Sequence, residues 1–344
     1  MQQNKRKVFV TGGTGLLGSH LLYSLAVKGE SIRANYRQLK KLDLVRKVFS
    51  YWCDNPDELF KKIEWIKSDL SDAGNLKSIV NGSEHVYHCA AAVSYEATGK
   101  DQLIKNNTDL TVNIVKTCLE TGVDKLCHVS SVATIGASHK DEMADESRKW
   151  IESGYHNAYS VSKYQSESEV WNGISKGMNA IIVNPSIILG PGFWNNGSSL
   201  FFSKIADGML FYTNGVTGYV DVRDVVKCMI TLMDGPVKGE RFIVSSENIP
   251  YGDFFSMIAE HLNVRKPFIF IPEILSRPAI GIVNTISKIR GKSGLITPDI
   301  IHAAFSRVFY NNSKIKGTTG INFIPIHQSI KEITRIYRTE IPQP

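Results

Sequence analysis

Cysteine is scarce in this chain of 344 residues, which has five cysteines and no pair spaced as Cys-x-x-Cys. An odd number of separated thiols indicates neither a disulfide framework nor a zinc site, so we expect no bound metal. Cys89 and Cys127 lie in apolar runs that predict buried strands. Reduced cysteines in a core are typical of the cytoplasm, and we therefore expect a cytoplasmic protein.

Long apolar runs are also missing. A membrane-spanning helix needs about 18 apolar residues, and the nearest candidate, Ile280–Ile289, is short and contains Asn284 and Lys288. No signal peptide is recognisable ahead of the first predicted strand. We therefore expect no membrane span, with membrane association through residues 274–289 as a minor alternative.

Clusters of basic residues with interleaved aromatic residues, which are typical of nucleic-acid-binding proteins, are absent too. The net charge is +7 at pH 7, but the lysines and arginines are scattered along the chain. We therefore expect no nucleic-acid partner. The mild positive excess suits a phosphate-rich cofactor instead.

The sequence does contain a regular alternation of predicted strands and helices up to Leu189. Apolar, β-branched runs predict strands at Lys7–Thr11 and Ile63–Lys67, and apolar residues at helical spacing predict helices at Leu16–Val27 and Ala158–Ser175. Strands that alternate with helices imply a parallel sheet with right-handed crossovers. We therefore predict an α/β fold with a Rossmann-type doubly wound parallel sheet.

A glycine-rich turn, GGTGLLG at residues 12–18, follows the first predicted strand and opens the first predicted helix. It can be framed as Gly13-x-Gly15-x-x-Gly18 or as Gly12-x-x-Gly15-x-x-Gly18. Glycines in this position allow a tight turn, close approach of the backbone to a pyrophosphate and close packing of helix on strand. Because the helix start offers N–H groups to phosphates, the turn predicts a dinucleotide cofactor.

The end of the second predicted strand distinguishes between cofactors. An acidic residue there binds the ribose hydroxyls of NAD, but this chain has Arg37, with Lys40 and Lys41 just beyond. An arginine fork suits a 2′-phosphate, so we predict NADP(H), with NAD(H) as the alternative. Asp69 and Leu70 follow the third predicted strand and are candidates for contact with the adenine.

Tyr159 and Lys163 are four residues apart in a predicted helix and therefore lie on one of its faces. An ammonium beside a phenol favours the phenolate, so we expect the pKa of Tyr159 to be lowered. A tyrosine of this kind can exchange a proton with a carbonyl or alcohol oxygen. The pair predicts acid–base chemistry at one substrate oxygen.

Seven motifs, in this order, resemble those of the extended short-chain dehydrogenase/reductases within the NAD-dependent epimerase/dehydratase superfamily. The resemblance covers nearly the whole chain and is closest to dihydroflavonol-4-reductase-like and 3β-hydroxysteroid-dehydrogenase-like reductases. The motifs are the turn at residues 12–18, His88–Ala92, Asn106-Asn107, Val129–Ser131, Tyr159–Lys163, Asn184–Ser186 and Tyr219–Val225.

The resemblance implies four catalytic residues. Tyr159 is the expected acid/base, and Lys163 is expected to hold the nicotinamide ribose and to lower the tyrosine pKa. Ser131 is expected to hydrogen-bond the reacting oxygen. Asn107 is expected to lie near the cofactor and the proton path.

The resemblance also implies the cofactor contacts. Residues 89–91 are expected to pass under the cofactor, and Pro185 and Ile188 to contact its nicotinamide end. His88 and His128 are interpreted as core histidines with satisfied ring nitrogens. The expected cofactor-binding set is Gly12, Thr14, Gly15, Leu16, Leu17, Arg37, Asp69, Leu70, Cys89, Ala90, Ala91, Tyr159, Lys163, Pro185 and Ile188.

The alternation of elements becomes irregular after residue 190. We predict a dinucleotide-binding domain over residues 1–190, to which elements near 219–245 return, and a smaller mixed α/β substrate lobe over residues 191–344. The glycine- and asparagine-rich stretch Phe193–Gly218 predicts loops. Its candidates for lining an apolar pocket are Phe193, Trp194, Phe201, Phe202 and Phe211.

The resemblance leaves the reaction open. Related enzymes of nucleotide sugars carry an arginine before the motif that begins here at Tyr219, but residues 212–221 contain neither arginine nor lysine, and a diphosphate site without that cation is weaker. We therefore predict an NADP(H)-dependent oxidoreductase that interconverts a carbonyl and an alcohol on a small, hydrophobic or aromatic substrate. A nucleotide-sugar epimerase or dehydratase is the alternative, and a non-catalytic NADP(H)-sensing protein is a third hypothesis.

Substrate specificity is expected to lie in Ser94–Gly99, Ile135–His156 and Phe193–Tyr219. The helices predicted at Asp101–Thr121 and Ala158–Ser175 form a dimer interface in many proteins that the chain resembles. A homodimer is therefore one expectation for this chain.

Overall fold

The computed structural model describes residues 5–91, 99–136, 142–151, 156–274 and 298–341. The strands are β1 (Lys7–Thr11), β2 (Ser31–Tyr36), β3 (Ile63–Lys67), β4 (His85–His88), β5 (Lys125–Val129), β6 (Met143–Ala144), β7 (Ala180–Pro185), β8 (Ile187–Leu189), β9 (Phe211–Tyr212), β10 (Val216–Asp221), β11 (Glu240–Val244), β12 (Glu247–Pro250), β13 (Ile269–Phe270) and β14 (Phe309–Tyr310). The helices are α1 (Leu16–Lys28), α2 (Lys41–Ser50), α3 (Pro56–Phe60), α4 (Ala73–Val80), α5 (Lys100–Thr121), α6 (Ala158–Ser175), α7 (Leu200–Ala206), α8 (Val222–Asp234), α9 (Tyr251–Leu262), α10 (Pro298–Phe305), α11 (Ser313–Thr319) and α12 (Ile326–Glu340). Two short 3₁₀ helices cover Val132–Thr134 and Gly197–Ser199.

Seven strands form one sheet in the order β11-β7-β5-β4-β1-β2-β3. All neighbours in it are parallel. β4, β5 and β7 are buried along their whole length, as expected when helices cover both faces of a sheet. The strand order reverses at β1, and ligands of open parallel sheets bind in the crevice at such a point. The predicted α/β fold with a doubly wound parallel sheet is confirmed.

Two hydrophobic cores lie on the two faces of this sheet. On one face, α1 and α8 pack around residues such as Leu21 and Val225. On the other face, α4, α5 and α6 pack around residues such as Ile114 and Val170. Because α5 runs along α6 over many residues, the side chains between these two helices are held in a fixed arrangement.

A third core belongs to a smaller group of elements after Leu189. β10 lies between β8, to which it is parallel, and β12, to which it is antiparallel. α7, α9 and α12 enclose a core that contains Phe202, Tyr219 and Phe254. β11 instead joins the large sheet beside β7. The division into two domains at residue 190 stays a prediction.

The prediction of loops over Phe193–Gly218 is wrong in part, because α7 and β9 lie within it. Trp194 and Phe202 are buried in the third core, so they do not line an open pocket. Phe211, in contrast, is about half exposed. The glycines and asparagines of this stretch favoured a prediction of loops, although α7 has an apolar side that buries Phe202 and Ile205.

The single strand predicted over Asn179–Leu189 is in fact two strands. β7 belongs to the large sheet and β8 to the small one. The chain changes sheet at Ser186, whose N–H donates to Val244 O at 3.1 Å.

None of the helices in the described ranges is long and apolar enough to cross a membrane. The segment Ile280–Ile289, which is the most apolar candidate in the sequence, lies outside those ranges.

Candidate active site

Close backbone contacts shape the glycine-rich turn between β1 and α1. Gly12 has a φ of +69°, and a Cβ atom there would lie 2.6 Å from Ala90 N. A Cβ atom on Gly18 would lie 2.2 Å from Gly12 O. The N–H of Gly15 donates to Gly12 O at 3.0 Å. The turn therefore requires glycine at positions 12 and 18, and its backbone lies against the end of β4.

Among the residues that the structure describes, no side chain caps the N-terminus of α1. Gly15 is its N-cap residue, and the first turn contains no acidic residue. Thr14 and Leu16 are half-buried at this point, and Leu17 is buried. Uncapped N–H groups at the positive end of a helix dipole bind phosphate. The turn thus fits the pyrophosphate of a dinucleotide.

Arg37 and Asp69 lie just beyond the carboxyl ends of the paired strands β2 and β3, and both are exposed. Asp69 Oδ1 accepts hydrogen bonds from Ser71 N at 3.0 Å and Ser71 Oγ at 2.9 Å. These bonds lower the pKa of Asp69, and the charge of Arg37 contributes to a smaller extent. Leu70 is buried, and the N-cap of α4 is Asp72. Asp69 is therefore not needed as a helix cap.

The end of β4 is tied to the glycine-rich turn through Thr11. Cys89 N donates to Thr11 O at 3.2 Å, and Ala90 N donates to Thr11 Oγ1 at 3.2 Å. Cys89, Ala90 and Ala91 are half-buried. The three residues expected to pass under the cofactor thus adjoin the turn expected to hold its phosphates.

His88 and His128 are neighbours on β4 and β5, with ring centroids 5.3 Å apart. His88 contacts Thr11 Oγ1 at 2.8 Å and Thr111 Oγ1 at 3.2 Å, which confirms a satisfied core histidine. For His128 this prediction is wrong, because neither ring nitrogen has a hydrogen-bond partner among the described residues. Burial lowers the pKa of His88 to about 3 and that of His128 well below its usual value. Both rings are therefore neutral at pH 7.

The start of α6 carries Tyr159. Asn157 caps the helix by accepting a hydrogen bond from Ser160 N at 2.7 Å, so half-buried Tyr159 lies in the first turn. Lys163 is buried one turn later, and its Nζ donates to Val129 O at 2.8 Å. Because Val129 ends β5, this bond fixes the first turn of α6 near the carboxyl edge of the large sheet.

Burial is the main influence on the charge of Lys163 and lowers its pKa to about 8. Cys89 and Glu167 both oppose this lowering. Since burial also raises the pKa of Cys89 to about 12, its thiol is neutral at pH 7. Glu167 is therefore the neighbour that supplies negative charge at neutral pH.

Ser131 follows β5 and is buried. It is the N-cap residue of the short helix Val132–Thr134, where its Oγ accepts from Ala133 N at 3.1 Å. A hydroxyl that accepts one hydrogen bond can still donate another. Ser131 lies only two residues after the carbonyl that Lys163 binds. The structure thus brings Ser131 and the turn of Tyr159 and Lys163 to the same edge of the sheet.

Asn107 is buried in α5 where it faces α6. Its Nδ2 donates to Ser162 Oγ at 3.2 Å, and Ser162 Oγ donates to Tyr159 O at 2.8 Å. Its own carbonyl accepts from Thr111 and from Ser166. Asn107 is thus connected to the backbone of the turn that carries Tyr159.

Pro185 and Ile188 lie on either side of the switch from β7 to β8. Pro185 is buried, and Ile188 is half-buried. The preceding residue, Asn184, is fully buried and donates from Nδ2 to Ser131 O at 3.1 Å. The residues expected at the nicotinamide end therefore adjoin the loop that bears Ser131.

Glu167 is the residue of this region that the sequence interpretation missed. It is buried in α6, one turn beyond Lys163, and five donors surround its carboxyl group. The donors are Ser130 Oγ (2.6 Å), Thr134 Oγ1 (2.7 Å), Asn184 Nδ2 (2.8 Å), Arg241 Nη1 (3.1 Å) and Trp171 Nε1 (3.3 Å). The spacing of four from Tyr159 to Lys163 to Glu167 was a signal, because it places all three on one helix face.

Parts of the predicted specificity segments lie outside the described residues, namely residues 94–98, 137–141 and 152–155. Within the ranges that the structure describes, no group of three or more His, Cys, Asp and Glu side chains could hold a metal ion.

Comparison with known proteins gives one family over most of the chain. The NAD dependent epimerase/dehydratase family matches residues 8–245. The chain is 28% identical over 269 residues to "Sterol demethylase protein B" of Methylococcus capsulatus, and the matched region covers 76% of each of the two proteins. It is 24% identical over 350 residues to "Dihydroflavonol 4-reductase" of Arabidopsis thaliana, with 98% of this chain and 88% of that protein covered. The crystal structure of gox2253 superimposes with a TM-score of 0.81 at 25% identity and covers 98% of this chain and 99% of that one.

Proposed function

The chain belongs to the NAD-dependent epimerase/dehydratase family and is an NAD(P)-dependent oxidoreductase of the extended short-chain dehydrogenase/reductase type, and within this class we propose that it interconverts a carbonyl and an alcohol with NADP(H). The observation that carries the proposal is the bond from Lys163 to Val129 O. It holds the turn of Tyr159 beside Ser131, at the sheet edge where the phosphate-binding turn also lies.

The proposed reaction needs two hydroxyl groups at one substrate oxygen and an ammonium at the nicotinamide ribose. Bound nicotinamide cofactor supplies the hydride or accepts it. In reduction, the Tyr159 hydroxyl gives its proton to the substrate oxygen, and the Ser131 hydroxyl donates a hydrogen bond to the same oxygen. Lys163 holds the nicotinamide ribose, and its ammonium favours the phenolate that Tyr159 leaves behind. In oxidation, the same groups act in reverse.

The proton transfer is tested with Tyr159→Phe, which removes one hydroxyl. We expect turnover of a carbonyl substrate to fall by about 100-fold or more, because general acid catalysis contributes about 10²–10⁴. Tyr164→Phe is the matched control, since Tyr164 lies on the same helix and is exposed. Turnover by Tyr159→Phe within about tenfold of wild type would refute the assignment of the proton donor.

The preference for NADP(H) rests on Arg37. Its exposed guanidinium lies at the end of β2, near Asp69, where the adenosine ribose of a dinucleotide lies in this fold. A guanidinium can bind a 2′-phosphate through two parallel hydrogen bonds. We therefore propose NADP(H) as the cofactor, and the contacts named from the sequence as its binding set.

The cofactor preference is tested by measuring the affinities for NADPH and NADH in wild type and in Arg37→Ala. Loss of a charge-assisted pair costs about 1.5–3 kcal/mol, so we expect the NADPH/NADH affinity ratio to fall by about 10- to 100-fold. Arg335→Ala, on the exposed side of α12, is the control and leaves the ratio unchanged. An unchanged ratio in Arg37→Ala would remove this residue from the argument.

The proposed substrate is small and hydrophobic or aromatic, and it binds against the lobe formed from residue 191 onward. The stretch from Tyr212 to Asp221 has no basic side chain to grip a diphosphate. The names of the two relatives, which mention a sterol and a dihydroflavonol, support a hydrophobic ring compound.

The alternative is a nucleotide-sugar epimerase or dehydratase, which the family name itself favours. It predicts that UDP- or GDP-sugars raise the melting temperature, because a ligand that binds only the native state stabilises it. The hydrophobic-substrate proposal predicts no shift with these sugars and NADPH oxidation with aromatic ketones or aldehydes. A clear shift with a sugar nucleotide would favour the alternative.

A further inference from the structure

We propose that Glu167 is a positioning residue, which fixes the loop that bears Ser131 against the helix that bears Tyr159 and Lys163. The inference rests on the roles proposed above for these three residues. Glu167 itself contacts neither substrate nor cofactor in this account, because its carboxyl group is enclosed by protein donors.

One carboxylate oxygen holds both ends of the serine loop. Oε2 accepts from Ser130 Oγ at 2.6 Å and from Thr134 Oγ1 at 2.7 Å. These two residues flank Ser131 on either side. Since Glu167 projects from α6, the loop is bonded to the same helix that carries Tyr159.

The same oxygen also reaches the carbonyl of Ser131 through Asn184. Asn184 Nδ2 lies 2.8 Å from Glu167 Oε2 and 3.1 Å from Ser131 O. Asn184 belongs to β7, the strand next to β5. The orientation of the Ser131 backbone therefore depends on a bond network that converges on one carboxyl group.

The second oxygen shows why a buried charge is tolerated. Oε1 accepts from Arg241 Nη1 at 3.1 Å and from Trp171 Nε1 at 3.3 Å. Side chains of serine, threonine, asparagine, arginine and tryptophan all act here as donors, and a carboxylate is the partner that can accept from every one of them. The half-buried Arg241 guanidinium compensates the charge of the buried carboxylate, and the other four donors complete its hydrogen bonding.

Arg241 extends the network to the segment that precedes α6. Its guanidinium donates to Glu146 O at 2.8 Å and to Arg148 O at 2.5 Å. This segment belongs to the stretch from residue 135 to 156 in which we expect substrate specificity. The ion pair of Glu167 and Arg241 thus joins the serine loop to a substrate-side segment.

The charge of Glu167 acts on Lys163 as well. The other titratable groups that influence or feel the Lys163 charge are His88, Cys89 and His128, all of which are neutral at pH 7. Glu167 is thus the charged member of this set, and removing its charge disfavours the Lys163 ammonium. The pH dependence of NADPH binding therefore reports on this charge, separately from the positioning of the serine loop, on which kcat reports.

The test is Glu167→Gln, which keeps the size of the side chain and removes its charge. We expect a folded protein whose kcat for an aromatic carbonyl substrate falls by about 10- to 100-fold, because a catalytic group misplaced by about 1 Å costs that much. We also expect the pH at which NADPH affinity declines, followed by NADPH fluorescence, to move below that of wild type. Glu169→Gln, which removes a half-buried carboxylate from the same helix, is the matched control and changes neither quantity.

Wild-type kcat in Glu167→Gln, or an unmoved pH dependence of NADPH binding, would overturn the proposal. If Glu167→Gln does not fold, Ser130→Ala decides instead, because it removes one donor and keeps every charge. We then expect kcat to fall by about 10- to 100-fold, because a hydrogen bond to a charged group contributes about 1.5–3 kcal/mol, and an unchanged kcat overturns the proposal. Failure of the proposed function is recognised separately, because Tyr159→Phe would then remain active.

Discussion

The two ends of the cofactor crevice are built in different ways. At residues 12–18 the backbone forms the site, and two positions are closed to any side chain because a Cβ atom would meet backbone at 2.6 Å or less. At the other end, side chains from α6, β7, β11 and the loop after β5 form the site, and Lys163 and Glu167 lie at its centre. One end depends on local geometry, and the other depends on long-range contacts.

The two ends also differ in what their formation costs in free energy on folding. A glycine-rich turn costs conformational entropy on folding but buries no charge. The catalytic end buries an ammonium and a carboxylate, and each charge is stable there only through its partners. We therefore expect the glycine-rich turn to tolerate no added side-chain atoms at Gly12 and Gly18. At the catalytic end we expect the free energy of unfolding to depend on pH through its buried charges.

The largest effect is expected at the phosphate-binding end, where Gly18→Ala should weaken NADPH binding, because the new Cβ atom would lie 2.2 Å from Gly12 O. Overpacking of this kind costs about 1–3 kcal/mol, which corresponds to an NADPH affinity about 10- to 100-fold weaker if the strain is relieved by opening the turn. Gly317→Ala is the control, since nothing lies within 4 Å of its Cβ position in α11. A Gly18→Ala protein with wild-type affinity would break the account of the phosphate end.

At the catalytic end, we expect Lys163→Met to have a smaller effect and to stabilise the fold, whereas Gly18→Ala strains it. Folding lowers the pKa of this lysine from 10.5 to about 8. The lysine therefore costs no stability above pH 10.5, and the wild-type protein loses stability as the pH falls from 10.5 through 8. At pH 7 the buried ammonium therefore costs free energy, and the methionine variant should be more stable by about 1–2 kcal/mol while it loses activity. Urea unfolding at pH 7 and pH 10 measures this, and a variant less stable than wild type at pH 7 contradicts it.

The smallest effect on the free energy of unfolding is expected at Asp224. This buried carboxyl group accepts from a backbone N–H, whereas Glu167 accepts from an arginine. Asp224 accepts a hydrogen bond from Ile324 N at 2.7 Å, and burial raises its pKa to about 6, with a further contribution from Asp221. The stability that it contributes is present below pH 4 and is lost as the pH rises through 6. After allowance for solvent screening, Asp224→Asn should raise the unfolding free energy by about 1 kcal/mol at pH 7. The gain should fade as the pH falls from 6 to 4, and a gain that is constant with pH would contradict this reading.

The same contrast explains how much the sequence could predict. The bounds of Ala158–Ser175 and Ile63–Lys67 agree with the structure, because apolar periodicity decides such elements locally. The glycine-rich turn could also be predicted from the sequence, since its geometry involves few neighbouring residues. α12 was not predicted, although its buried residues Ile326, Ile330, Ile333 and Tyr337 have helical spacing.

The catalytic end could be predicted only in part. Tyr159, Lys163 and Ser131 were found through spacing and family resemblance. The partners of Glu167 were not, because Asn184 and Arg241 lie 17 and 74 residues away in sequence and meet it only through the order of the sheet. For the same reason the sequence did not predict that the ring nitrogens of His128 lack a partner within the part of the chain that the structure describes. A periodic pattern predicts burial but not the partners of a buried group.

The central claim is that both ends hold one NADP(H) molecule, with Lys163 at its nicotinamide ribose. A crystal structure of the NADPH complex tests it most directly. The account predicts the pyrophosphate at residues 12–18, the 2′-phosphate against Arg37, and Lys163 Nζ hydrogen-bonded to a hydroxyl of the nicotinamide ribose, with the ring facing Tyr159. A nicotinamide ribose that lies away from Lys163 and Tyr159 would contradict it.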